Sequence, residues 1–313
     1  MKLKLLDFLL CPECEGPLLL KNEVYEKNEI KEGALRCGNG HEYKIINFIP
    51  RFVKTDAYSS SFSYEWTRFS ETQLDSKVGK DLSESQFQGR IDFSLNKING
   101  KFVLDAGCGM GRYAQIVKKY GGIVVGIDLS YAVDVAYKNI GFEENVHIVQ
   151  ADIMNPPFKK EIFDFIYSFG VLHHTPDAET AFKRLTRYLK RGGKFSLFVY
   201  DSYEKAVVYS SNFWRKITLK LPLRMLYYFC FISVPLYYAY RLPIIGNFLK
   251  AGFIISMRPE WRIRWLDTFD WYSPRYQSKH THAEVFRWFN QMGFGDIKIF
   301  DLGVTMQGTK SRI

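Results

Sequence analysis

Two groups of residues have types and spacings that could do chemistry. The first is Val103-Leu104-Asp105-Ala106-Gly107-Cys108-Gly109-Met110-Gly111, followed by Val124-Val125-Gly126-Ile127-Asp128. An apolar run ending in an acid reads as a buried strand. The glycines after it let the backbone turn tightly and pass close to a ligand, because no Cβ intervenes. An acid closing the next strand can accept both hydroxyls of a ribose. The loop is Gly-x-Gly-x-Gly, and Asp105 stands beside it. A pyrophosphate would prefer the longer Gly-x-Gly-x-x-Gly loop and no carboxylate. A ribose carrying a cationic, amino-acid-like end suits the loop better, and S-adenosylmethionine has that chemistry.

The second group is Cys11-Pro12-Glu13-Cys14 with Cys37-Gly38-Asn39-Gly40-His41. Two thiolates two residues apart chelate one Zn²⁺ from a tight turn, and a second knuckle completes a tetrahedron. Cys11, Cys14, Cys37 and His41 are therefore the expected ligands of a structural Zn²⁺, since four protein ligands leave no open position. Leu18-Leu19-Leu20 and Gly33-Ala34-Leu35 read as two short strands between the knuckles. A unit of this size has little core of its own, so metal binding would supply much of its folding energy. The alternative is a reduced, metal-free pair of turns.

From Lys101 to Tyr200 the chain resembles the class I S-adenosylmethionine-dependent methyltransferases of the type 11-like branch. Besides the glycine loop, the resemblance rests on three later segments: Val146 to Asp152, Phe163 to Ser168 with Gly170-Val171-Leu172-His173-His174, and Gly192-Gly193 before Phe195 to Tyr200. It implies an α/β, Rossmann-like seven-stranded sheet. It also implies roles. Asp105, Ala106, Gly107, Cys108 and Gly109 hold the methionine end. Asp128 takes the ribose and Leu129 packs on adenine. Asp152 and Ile153 take the adenine edge, and Ser168 flanks the sulfonium. His173, His174 and His280 are candidate general bases, since neutral imidazole accepts a proton near pH 7; His174 could instead cap the helix that starts at Asp177. The N-terminal segment resembles the Trm112-like zinc ribbons, and also the ribbon of certain rRNA guanine methyltransferases. Asn155-Pro156-Pro157-Phe158 looks like the signature of amine-methylating enzymes of nucleic-acid bases, but it precedes the fourth strand where that signature follows it.

The elements that must position these groups follow from pattern. Helices are expected over Tyr113–Lys119, Ala132–Asn139, Ala178–Leu189 and Ala283–Met292, the last opened by a Thr281/Glu284 capping box. A further helix is expected over Glu84–Asn96, and an antiparallel pair, Ile297–Leu302 with Val304–Gln307, closes the sheet. The chain divides into a zinc ribbon (1–56), a linker and cofactor cap (57–96), the cofactor-binding core (97–202), a helical lid inserted after strand five for the substrate (203–280), and the closing helix and strands (281–313).

Composition bears on the acceptor. The net charge is +10, and from Asp201 onward 16 Lys/Arg face 8 Asp/Glu. Met225 to Tyr240 is nearly all apolar or aromatic, is interrupted by Pro235 and falls short of a membrane span. It reads either as a buried lid or as a helix at a membrane interface. Tyr272, Arg275, Tyr276 and His280 are expected either to face the substrate, some of them, or to anchor the lid. The expected acceptor is a small or amphiphilic molecule, lipid- or glycan-linked in one version. The alternative is RNA, docked by the ribbon and the basic surface. Met1 to Leu10 is too short for a secretory signal. A cytoplasmic location, with peripheral contact at the inner face of a membrane as a variant, completes the expectation.

Overall fold

The structure is a computed structural model that describes residues 1–53, 57–70, 74–79, 81–242, 244, 246, 249 and 252–311. Its strands are β1 (Leu18–Glu26), β2 (Glu29–Cys37), β3 (Glu42–Ile46), β4 (Ile49–Arg51), β5 (Phe102–Ala106), β6 (Ile123–Asp128), β7 (Val146–Gln150), β8 (Phe163–Phe169), β9 (Leu189–Val199), β10 (Phe294–Phe300) and β11 (Val304–Lys310). The seven expected strands lie in the order β7-β6-β5-β8-β9-β11-β10. The first five are parallel, and β11 and β10 return antiparallel. β5 and β7 are buried at every position. Helices cover both faces there, which is why these strands read as unbroken apolar runs.

The ribbon is not a separate sheet. Its four strands continue the same sheet, because β4 pairs parallel with β7 at Arg51↔Gln150 and Phe52 N donates to Gln150 O at 2.8 Å. An edge strand leaves a row of unpaired backbone groups, and β4 covers the one on β7. Leu5, Leu9, Leu18, Ile30 and Leu35 share one buried cluster with Leu104, Phe163 and Ile166. The ribbon thus borrows its core from the large domain.

Several expected elements end differently. Helix does not run over 84–96. It spans Leu82–Gln88, after which Gln88 folds back, its Nε2 donating to Phe93 O and its Oε1 accepting from Leu95 N, and a short 3₁₀ turn follows at Leu95–Ile98. The helix from Ala132 changes to a π turn over Tyr137–Gly141. The helix from Ala178 stops at Leu185, before a 3₁₀ turn. Gly192-Gly193 lies inside β9, where the register jumps from Phe163↔Leu189 to Phe165↔Lys194. The closing helix, His282–Gln291, has the expected capping box.

The insertion forms helices Lys205–Thr218, Leu223–Cys230, Ser233–Tyr240 and Trp261–Tyr272. The break in the apolar run falls at Phe231-Ile232. Pro235 sits in the first turn of the next helix, where a missing N–H costs nothing. Leu226, Tyr227 and Cys230 pack on Leu266, Phe269 and Tyr272, with Phe69 from the cap segment. Among the described residues no helix is long and apolar enough to cross a membrane.

Candidate functional site

The loop after β5 is shaped for close approach. Gly107 and Gly109 have φ of +92° and +50°. A Cβ at Gly107 would fall 2.3 Å from the Val171 side chain. Asp128, at the end of β6, holds the loop: its Oδ2 accepts from Gly109 N at 2.9 Å, and its Oδ1 accepts from Ser130 N and Oγ at 2.8 and 2.6 Å. Burial pushes its carboxyl above the ordinary range, and those hydrogen bonds pull it back. The cap helix Ser60–Arg68 places Trp66 over Gly109. Between loop, cap and lid lies a cleft of about 640 Å³.

Gly107, Cys108, Gly109, Asp128, Leu129, Ile153 and His174 line that cleft. Asp105 does not. It is buried beneath the loop, one carboxyl oxygen has no hydrogen-bond partner among the described residues, and burial raises its pKa to about 8. Ala106 is buried at the strand end. Ser168 is buried too, and its Oγ donates to Ala106 O at 2.7 Å, so it ties β8 to the loop and does not flank the cleft. Asp152 stands behind the lining residue Tyr58, whose hydroxyl donates to its Oδ1 at 3.1 Å.

The three histidines separate. His173 is fully buried and stacked on Tyr200 at 3.9 Å, outside the cleft lining; neither ring nitrogen has a partner among the described residues. Burial drives its pKa well down and keeps it neutral. His174 reaches the cleft. Its Nδ1 lies 3.0 Å from Tyr276 O, an acceptor only, so Nδ1 carries the proton, and burial lowers the ring's pKa to about 4. It does not cap the helix at Asp177, which Asp177 itself caps by accepting from Thr180 N. His280 packs on Trp288 at 4.9 Å and pairs with Ser278 Oγ at 2.8 Å, outside the cleft lining. Arg275 is exposed, Tyr276 packs on Tyr58, and Tyr272 is sealed in the lid core with its hydroxyl on Ile254 O.

Sequence reasoning missed the carboxylates on the opposite wall. The lid helix Trp261–Tyr272 presents Asp267 and Asp270 to the cleft, and the cap helix adds Glu65. Asp270 Oδ2 accepts from Tyr200 OH at 2.8 Å, and Asp267 Oδ2 accepts from Ser256 Oγ at 3.0 Å with Arg258 at 3.8 Å. Glu65 is 1% exposed, and its Oε2 has no partner among the described residues. Burial first, then mutual repulsion, pushes Glu65 well up. Burial raises both aspartates to about 6. The spacing Asp-x-x-Asp, one helix face in an otherwise aromatic insertion, was the available signal. A second chamber of about 490 Å³ shares Arg90, Phe198, Tyr200 and Trp271 with the cleft.

In the ribbon, the ligand atoms of Cys11, Cys14, Cys37 and His41 all lie within 4.8 Å of one another. Cys14 Sγ is 3.7 Å from Cys37 Sγ, and His41 Nδ1 is 3.4 and 3.5 Å from the sulfurs of Cys37 and Cys11. A tetrahedral Zn²⁺ with Zn–S of about 2.3 Å sets sulfurs about 3.8 Å apart. The four residues fit one structural Zn²⁺, and none of them lines the cleft.

Residues 104–197 match the family model for a methyltransferase domain, and residues 2–47 match that for Trm112p-like proteins. The chain carries a methyltransferase domain behind a Trm112-like domain. Sterol 24-C-methyltransferase erg6 of Schizosaccharomyces pombe is 23% identical over 58% of this chain and 49% of its own length. A ubiquinone biosynthesis O-methyltransferase of Coxiella burnetii is 32% identical over 36% of this chain and 49% of its own. The chain thus spans about half the length of these curated relatives. Among solved structures, the complex between the Haloferax volcanii Trm112 methyltransferase activator and a methyltransferase aligns over 80% of this chain and 98% of that one, at 13% identity and a TM-score of 0.48. The matched methyltransferase domain runs from β5 into β9 and stops before the lid, so the wall bearing Asp267 and Asp270 lies outside it.

Proposed function

We propose that this chain transfers the methyl group of S-adenosylmethionine to a small or amphiphilic acceptor held between the glycine loop and the lid. One observation carries the reading: a single cleft has Gly107, Gly109 and Asp128 on one wall and Asp267 and Asp270 on the other. The cofactor, when bound, supplies an activated methyl group on a sulfonium. Everything else is positioning, desolvation and proton handling by the chain. Gly107 and Gly109 leave room for the methionine end, Asp128 accepts from the ribose hydroxyls, and Tyr58, braced by Asp152, borders the adenine.

An acceptor O–H or N–H must lose its proton as the methyl arrives. A base is best when its pKa lies near the working pH. Asp267 and Asp270, at about 6, are ionised at neutral pH and still accept a proton; His174, at about 4, is the poorer base. The aromatic lid suits an apolar acceptor body, in keeping with relatives named for sterol and ubiquinone chemistry. A cluster of buried carboxylates at the reacting end repels a polyanion, which weighs against RNA. The test is calorimetry with S-adenosylmethionine, then transfer of labelled methyl to separated lipid, metabolite and RNA fractions. Asp128→Ala should weaken cofactor binding about tenfold or more, the loss expected for hydrogen bonds to a charged group. Label in RNA alone would refute the acceptor class, and absence of cofactor binding would refute the whole reading.

A further inference from the structure

The lid has a second face. From Lys205 to Pro259 the sequence holds eight Lys/Arg and no Asp or Glu. On helix Lys205–Thr218, Tyr209, Phe213 and Ile217 recur four residues apart and are 76, 60 and 44% exposed. Tyr228, Phe231 and Tyr238, on and between the next two helices, are 56, 43 and 69% exposed. Ring contacts join parts of this face: Phe213 packs on Trp214, Trp214 and Phe229 both pack on Phe253, and Phe231 packs on Trp261. Lys216 and Arg224 stand exposed on these helices, and Lys220 and Arg241 stand exposed just past their ends. The inner side of helix Leu223–Cys230, through Leu226, Tyr227 and Cys230, rests on the helix that carries Asp267 and Asp270.

We propose that this face docks on the surface of an anionic lipid bilayer. An apolar surface of this kind is unusual on a monomer and marks an interaction site. Aromatic and aliphatic side chains enter the headgroup boundary while flanking cations meet anionic lipid, and the absence of acids in the segment is the matching charge pattern. The two eight-residue helices reach about 12 Å each, against about 30 Å of hydrocarbon, so they lie in the interface and do not span it. The purpose of the docking rests on the amphiphilic acceptor proposed above, because it brings the cleft to where such a molecule resides.

Co-sedimentation of the full chain with vesicles of phosphatidylcholine, alone or mixed with phosphatidylglycerol, tests it. The native chain should bind the anionic vesicles about tenfold more tightly than the neutral ones, a preference that salt weakens. Lys216→Glu with Lys220→Glu should abolish that preference, at about tenfold per reversed pair or more. Phe213→Ser with Ile217→Ser should weaken binding to both vesicles. Cofactor affinity, measured on the same samples, should stay unchanged in all variants, since these side chains are exposed. Absence of vesicle binding by a chain that binds S-adenosylmethionine overturns this proposal alone. So does a native dimer that the serine variant converts to a monomer, because the occupant is then a second copy. Vesicle binding without cofactor binding upholds the docking and overturns methyl transfer.

Discussion

Asp267 and Asp270 set the pH behaviour at the level of single residues. Their pKa values of about 6 lie above the ordinary carboxylate range because burial disfavours the charge. A native state that holds a proton more firmly than the unfolded chain gains stability at low pH. That contribution is full below about 4 and is lost as pH rises through about 6. Turnover should move the opposite way, rising to a plateau along a limb centred near 6 as the carboxylates ionise. Asp270→Asn should flatten that limb and cut kcat about a hundredfold, within the range of a lost general base. The same variant should melt a few degrees higher at pH 7.5, since a neutral amide removes the buried charge. Parallel pH–rate profiles and melting curves check both. A variant that lost activity and stability together would show a merely structural aspartate.

At the level of elements, Gly107 decides whether the loop can form. Gly107→Ala would need φ near +92° and space already filled by Val171. It should abolish measurable cofactor binding and lower the melting temperature. Adding Val171→Ala should return part of the stability and little of the binding, because only the collision is relieved. Elements of this kind were legible in the sequence. The strands around the loop have unbroken apolar runs, and Thr281/Glu284 announces its helix by side-chain chemistry. What was not legible had little or no local signal. Gln88 ends its helix by folding back on Phe93 and Leu95, a tertiary choice. The lid carboxylates offered only the Asp-x-x-Asp spacing as a signal, and it is the folded lid that brings Asp267, Asp270 and Glu65 to one wall. The metal ligands were legible because chelation depends on short spacings that survive in one dimension. His173 and His280 show the reverse: residue type suggested a base, and packing against Tyr200 and Trp288 holds them outside the cleft lining.

For the whole molecule, the joint between ribbon and core is well connected. Arg51 of β4 donates to Gln150 Oε1 at 2.8 Å and to Asp134 Oδ1 at 2.6 Å. Gln150 in turn donates to the carbonyl of Leu129, which lines the cleft. Two side chains, Arg51 and Gln150, thus link the edge of the metal-bearing unit to the cleft. Binding equilibria linked through a shared structure are reciprocal. If stripping Zn²⁺ with a chelator loosens β4, S-adenosylmethionine should bind the stripped chain more weakly. By the same factor, saturating cofactor should make the chain harder to strip. Calorimetry with and without chelator gives the first number, and chelator titration with and without cofactor gives the second. Equal factors different from one would make the ribbon a gauge of site occupancy; factors of one would leave it an inert clamp on the sheet's edge.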